Sequence, residues 1–209
     1  MKKGIAIIML LLLVLACKEE NNPLNKIKEV TGKVKEVKQG LDNFDNIIDG
    51  AEDMQKNIKK LSELTPVSKE QIKDWMPEEV GDLKLTEYDI SSQMGLSVFK
   101  LSYKGDDEKK KKINIIISDG AGKGSALVAM FSMFQNIEID TENESGYERT
   151  QTFEGQRTLT KYQTSEKYEK ATLQCLINQR FGIEANAWNM NPDELWNFIK
   201  KLEIEKLVK

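Results

Sequence analysis

Residues 146 to 188 read GYERTQTFEGQRTLTKYQTSEKYEKATLQCLINQRFGIEANAW. Four stretches within it carry strand composition: Tyr147–Phe153, Arg157–Thr164, Ala171–Asn178 and Arg180–Trp188. Threonine, aromatic and aliphatic residues recur there at short intervals, as a pleated, half-buried surface requires. Gly155 and Gly182 mark turns or bulges between or within them. The next residues signal a helix. Asn191 is a cap, Pro192 opens the first turn, and Glu194 follows three residues after the cap. Leu195, Phe198, Ile199 and Leu202 then make one apolar stripe.

Working back towards the amino terminus, Asp140 to Gly146 reads as a polar loop, preceded by a helix with Leu127, Met130, Phe131 and Phe134 on one face. Three more strand-like runs cover Leu83–Ile90, Leu96–Tyr103 and Lys112–Ser118, with Gly105-Asp106-Asp107-Glu108 as a hairpin turn between the last two. Ser68 and Gln71 have capping-box spacing and start a short helix that ends before Pro77. Helix, three strands, helix, four strands and helix predict an α+β domain over residues 66–209. Its core would be an antiparallel sheet of about seven strands covered by helices. This order resembles the Mog1/PsbP-like fold, with Gly146-Tyr147-Glu148-Arg149-Thr150, the Phe153-Glu154-Gly155 hairpin and the closing Asn191–Leu202 helix as the matching parts. The resemblance implies accessory and binding modules attached to membrane assemblies or to GTPases, not a catalytic family, and it carries over no functional residue.

Ahead of that domain, Ile27, Val30, Val34, Val37, Leu41, Phe44, Ile48 and Ala51 are spaced alternately by three and four. This is a heptad pattern, and Met54, Ile58 and Leu61 continue it after a register slip. We expect a long amphipathic helix, a stalk, over residues 25–65. It could pair with a second copy through residues 27–51, lie along the domain, or rest on a membrane surface. Gly32, Gly40 and Gly50 each weaken it by about 1 kcal/mol relative to alanine.

The chain opens with Lys2 and Lys3, then an unbroken apolar run from Ile5 to Leu15. That run is too short to span a bilayer, which takes about 20 apolar residues, and suits the central region of a secretory signal. It ends Val14-Leu15-Ala16-Cys17, which resembles the lipobox of bacterial lipoproteins. The resemblance implies cleavage after Ala16, a diacylglyceryl group on the sulfur of Cys17, and acylation (palmitate or a similar chain) of the new amino terminus. Residues 1–16 are then a signal peptide and 17–24 a lipidated tether, since Lys18-Glu19-Glu20-Asn21-Asn22-Pro23 is polar and ends in a breaker. The expected location is the cell envelope, at the outer membrane. Cys-Lys-Glu-Glu also resembles the acidic export signal of surface lipoproteins, which leaves surface exposure and a periplasm-facing orientation both open.

Composition narrows the function. Losing Lys2 and Lys3 on processing takes the formal charge from −3 to −5, so no global basic bias points to nucleic acid. There is no histidine, which removes Ser-His-Asp and Cys-His nucleophile systems and every imidazole metal site. Cys175 is the only cysteine besides Cys17 and reads as a small buried apolar residue. Asp119-Gly120-Ala121-Gly122-Lys123-Gly124 fails the phosphate-loop pattern at both ends, so a tight strand-to-helix turn is the simpler reading. Asp140, Glu142 and Glu144 alternate as calcium ligands do. Counting from Asp140, however, position six is Ser145 and position twelve is Gln151, which favours a solvated acidic loop. Lys109–Lys112 reads as the solubilising end of a hairpin. Tyr147, Arg149 and Trp188 are the candidate binding surface, because aromatics with an arginine mark binding hot spots, while Trp196 reads as core. We therefore expect a non-enzymatic, membrane-anchored binding or accessory module with a protein partner, no nucleic acid and no cofactor. The alternative is a small-ligand carrier with a pocket between sheet and helix.

Overall fold

Alternating side chains commit a strand to two different faces, and here those faces receive different helices. The structure, a computed structural model, describes residues 54–93, 95–106, 110–136 and 138–208. Nine strands form one antiparallel sheet: β1 (Glu79–Val80), β2 (Leu83–Gln93), β3 (Leu96–Gly105), β4 (Lys112–Asp119), β5 (Asp140–Asn143), β6 (Gly146–Phe153), β7 (Gln156–Thr164), β8 (Glu169–Ile177) and β9 (Phe181–Trp188). Their spatial order is β1-β2-β3-β4-β9-β8-β7-β6-β5. Two meanders are thus joined where β4 pairs with β9, Lys112 lying opposite Trp188 and Asp119 opposite Phe181. The helices are α1 (Lys69–Trp75), α2 (Ser125–Asn136) and α3 (Pro192–Lys201), and residues 54–62 are helical as well.

One face of the sheet carries the main core: Phe99, Leu101 and Tyr103 from β3, Ile113, Ile115 and Ile117 from β4, Leu173 and Cys175 from β8, and Phe181 and Ile183 from β9. Helix α3 lays Leu195, Phe198 and Ile199 into this cluster, with the Phe198 ring edge-on to Tyr103 at 5.0 Å. Trp196 stacks on Phe153 at 5.5 Å and is buried, as its helical phase predicts. Helix α1 adds Ile72 and sets Trp75 edge-on to Phe99 at 5.8 Å. Helix α2 packs on the opposite face, where Phe131 crosses the sheet at Gly182. A Cβ on Gly182 would lie 2.4 Å from that ring, so only glycine allows the approach. Val128, Leu176 and Leu61 complete this smaller cluster. The side chains of Met130 and Phe134, read as part of the same helical stripe, lie outside the described residues.

Both capping boxes form as their spacing predicts. The Ser68 hydroxyl accepts from the Gln71 backbone N–H, and the Asn191 side chain accepts from the Glu194 N–H at 2.9 Å.

The sheet has nine strands, not about seven. The Asp140–Gly146 stretch expected to be a loop contains β5, an edge strand exposed along its whole length. It has no apolar alternation to betray it. It is held by its register with β6, by the Thr141 hydroxyl donating to Glu148 O at 3.1 Å, and by ion pairs to Arg149. The other unexpected strand, β1, has two residues, too few for any periodic signal. β2 also runs past Ile90 to Gln93, with a bulge between Leu85 and Glu87.

Within residues 54–62, Leu61 is buried in the α2 cluster and the Asn57 side chain donates to Gln179 O at 2.8 Å. The signal peptide with Ala16, the acylation site Cys17, the tether, the expected helix over residues 25–53 and the dimer seam at 27–51 all lie outside the described residues.

Candidate functional site

The strongest polar constellation lies where β4 ends. Asp119 is fully buried, and its carboxylate is gripped from two sides. Arg180, in the β8–β9 turn, donates from Nε to Oδ1 at 2.7 Å and from Nη2 to Oδ2 at 2.9 Å. The Val67 N–H donates to Oδ2 at 2.8 Å and the Ala121 N–H to Oδ1 at 3.0 Å. Arg180 also donates to Thr65 O at 3.2 Å, and the Ser97 hydroxyl to Val67 O at 3.1 Å. A bidentate guanidinium with two backbone donors leaves little of the carboxylate's acceptor capacity unmet. The arrangement fastens the strap that leads from the 54–62 helix into α1 onto the end of the sheet. Sequence reading missed the pair because its members lie 61 positions apart. The one available signal was an aspartate closing the aliphatic run Ile113–Ile117, a poor place for a charge without a partner.

The glycine-rich loop after Asp119 is a packing device. A Cβ on Gly124 would meet Asp119 O at 2.0 Å, and one on Gly120 would meet Val128 Cγ2 at 2.2 Å. The Ala121 N–H is given to the Asp119 carboxylate and so is not free to cradle an anion.

Tyr147 and Arg149 share a face of β6. The Arg149 guanidinium lies 4.0 Å from the Tyr147 ring centroid and pairs with Glu142 at 3.0 Å and Asp140 at 3.8 Å. The alternating acids of β5 are therefore counter-ions to an arginine. Such exposed pairs are worth about 0–1 kcal/mol each. Glu144 is exposed in the β5–β6 turn. Among the described residues, no group of three acidic or cysteine side chains is placed to hold a metal ion. Tyr147 tilts against Tyr162 at 5.6 Å, and burial raises its phenol pKa. The Tyr162 hydroxyl donates to Glu169 at 2.7 Å, a bond that raises its pKa in turn.

Trp188 is not part of that surface. Tyr147 lies opposite Tyr162, Tyr162 opposite Ala171, and Ala171 opposite Ala187, so Tyr147 belongs to the face that carries the core. Trp188 is the next residue along β9 and points to the other face. There it lies between two directly opposed lysines, Lys112 on β4 and Lys170 on β8, each with Nζ 5.3 Å from the indole centroid. The described part of the basic run, Lys110–Lys112, is split by the same parity. Lys111 pairs instead with Glu194 at 3.2 Å and Asp82 at 3.9 Å.

Cys175 is buried in the main core, where desolvation pushes its thiol up to about 12 and keeps it protonated. A shallow groove of about 480 Å³ lies between α1 and the residues after α3, bordered by Trp75, Leu202 and Glu203. A second, of about 550 Å³, lies against Asn197 and Lys200. Neither lies between the sheet and a helix. Among the described residues, no helix is long and apolar enough to cross a membrane.

No protein-family model matches the chain, and neither curated proteins nor solved structures yield a match.

Proposed function

We propose that the protein is a lipid-anchored module of the bacterial cell envelope that binds a partner and does not turn over a substrate. The anchor is the acylated Cys17, and two or more acyl chains hold a protein at a bilayer almost permanently, where one alone does not. The observation that carries this reading from the domain side is the clamp on its entry strap. Thr65 and Val67, on the strap just ahead of the α1 cap Ser68, are fastened to the sheet through Arg180 and the buried Asp119. A module displayed from a tether needs its entry point fixed to its core. A strap that peeled away would turn each pull on the anchor into partial unfolding. We assign the module to the outer membrane, facing either the cell surface or the periplasm. Layers of helix on both faces of an antiparallel sheet, with α3 closing the core, also support a Mog1/PsbP-like assignment and the accessory role it implies.

The test exchanges residues 1–17 for a secretory signal that is cleaved without acylation. The exchanged protein is expected in the soluble fraction with an unchanged cooperative unfolding transition, while the original chain stays in carbonate-washed membranes. Retention of the exchanged protein in those membranes would remove the anchor from the account. The exchange is preferable to Cys17→Ser alone, because an uncut apolar run could itself hold the variant at the membrane.

A further inference from the structure

Register, not sequence proximity, places Trp188 in a basic row. Across the sheet, Lys84 lies opposite Lys104, Lys104 opposite Lys112, Lys112 opposite Trp188, and Trp188 opposite Lys170. Directly opposed residues share a face, so four lysines and one tryptophan line a single row over five neighbouring strands. At about 4.8 Å per strand the row is roughly 19 Å long. It crosses the face opposite the main core, at the end away from Gly182 and the Phe131 ring of α2. Lys104 is exposed, while Lys112, Trp188 and Lys170 are half-buried. Lys84 is held by Asp106 at 3.0 Å, whereas Lys112 and Lys170 flank the indole. Two ammonium groups ordered by one ring lose less side-chain freedom when an anion arrives than two free lysines would.

The next row on the same face is neutral and hydrogen-bonding: Ser102, Asn114, Asn186 and Thr172 lie opposite one another in turn. Thr172 donates to the Asn186 side chain at 2.9 Å, and the enclosed Asn114 Oδ1 accepts no hydrogen bond from the described residues. Two acids flank this face at its β1–β2 end, Glu79 directly opposite Lys84 and Glu87 opposite Ser102, and neither lies opposite Lys112, Trp188 or Lys170. Glu148 pairs with Lys161 at 3.5 Å, and Glu184 accepts from Gln174 at 3.4 Å.

We propose that this strip is a docking site for a linear acidic polysaccharide, whose carboxylate or sulfate groups meet Lys104, Lys112 and Lys170 while its hydroxyls meet the amide and hydroxyl row alongside. A narrow chain fits better than a flat anionic bilayer. Exposed Asp106 in the β3–β4 hairpin and Glu166 in the β7–β8 turn stand at the end of the sheet next to the row and would meet headgroups first. The choice of polysaccharide over nucleic acid rests on the export reading above, together with a net charge of −3 for the whole chain.

The test uses the full chain in neutral detergent, with immobilised heparin and polygalacturonate as probes and neutral dextran as control. Saturable binding to an acidic probe is expected, weakening as salt rises. Lys112→Gln combined with Lys170→Gln should weaken it about 25-fold and flatten the salt dependence. Trp188→Phe, which keeps the charge and most of the packing, should weaken it by a smaller factor of about three. Lys69→Gln with Lys73→Gln on α1 is the charge-matched control and should leave it unchanged. Equal binding by the Lys112/Lys170 variant and the original chain would overturn the strip. So would failure of both acidic probes. Vesicles of phosphatidylglycerol and a single-stranded thymidine oligonucleotide are run in parallel, and preference for either would overturn the polysaccharide as occupant. Detergent-solubilised binding does not depend on acylation, so failure here leaves the anchor reading standing, and failure of the anchor leaves this binding measurable.

Discussion

Replacing Arg180 by leucine is expected to destabilise the domain by about 3–5 kcal/mol, the range for stripping one partner from a buried ion pair. Folded domains are stable by only about 5–15 kcal/mol, so this is a large fraction of the total. The reason is the asymmetry of the pair. Asp119 is fully buried, while the Arg180 side chain keeps 14% of its surface exposed. Without the guanidinium, the carboxylate keeps only the Val67 and Ala121 N–H groups and has no route to water. Asp119→Asn should cost less, about 1–3 kcal/mol, because the amide oxygen still accepts from one of those groups and Arg180 can turn to solvent. The double variant should be more stable than Arg180→Leu alone, since it strands no charge. Urea titrations of the three variants measure all of this. A loss below about 1 kcal/mol for Arg180→Leu would show that the strap is not fastened by this pair.

Phe198→Ala should cost a similar amount, about 3–5 kcal/mol, by a different mechanism. Phe198 is only 4% exposed, and its ring meets Tyr103 edge-on at 5.0 Å. Tyr103 cannot move into the void freely, because its hydroxyl donates to Pro77 O at 2.9 Å. Phe198→Leu, which fills most of the volume, should cost about 1–1.5 kcal/mol. The ordering of the two in thermal or urea unfolding is the check. Near-equal losses would mean that the site collapses around the smaller residue.

Much of this architecture was legible before any coordinate. The alternation in β3, β4 and β6–β9, the two capping boxes and the apolar stripe of α3 are local signals, and local chemistry decides them. What was hidden depends on pairs far apart in the chain. β5 is charged and exposed along its length, so its strand character comes from the neighbour it pairs with and not from its own residues. Asp119 and Arg180 meet because β4 and β9 are adjacent, although neither residue carries a periodic signal. Tyr147 and Trp188 were grouped because both flank strands near the final helix, yet a single odd step in register sends them to opposite faces. The basic row obeys the same rule in reverse. Lys84, Lys104, Lys112 and Lys170 are spread through the sequence and align only once the registers of β2, β3, β4, β9 and β8 are known.

The most direct measurement of the central claim is the intact mass of the protein extracted from membranes, with fragmentation from its amino terminus. The account predicts a chain that begins at Cys17 and exceeds the mass of residues 17–209 by a diacylglyceryl group and an amide-linked acyl chain, all carried on that first residue. A chain that begins at Met1, or one that begins at an unmodified Cys17, would contradict it.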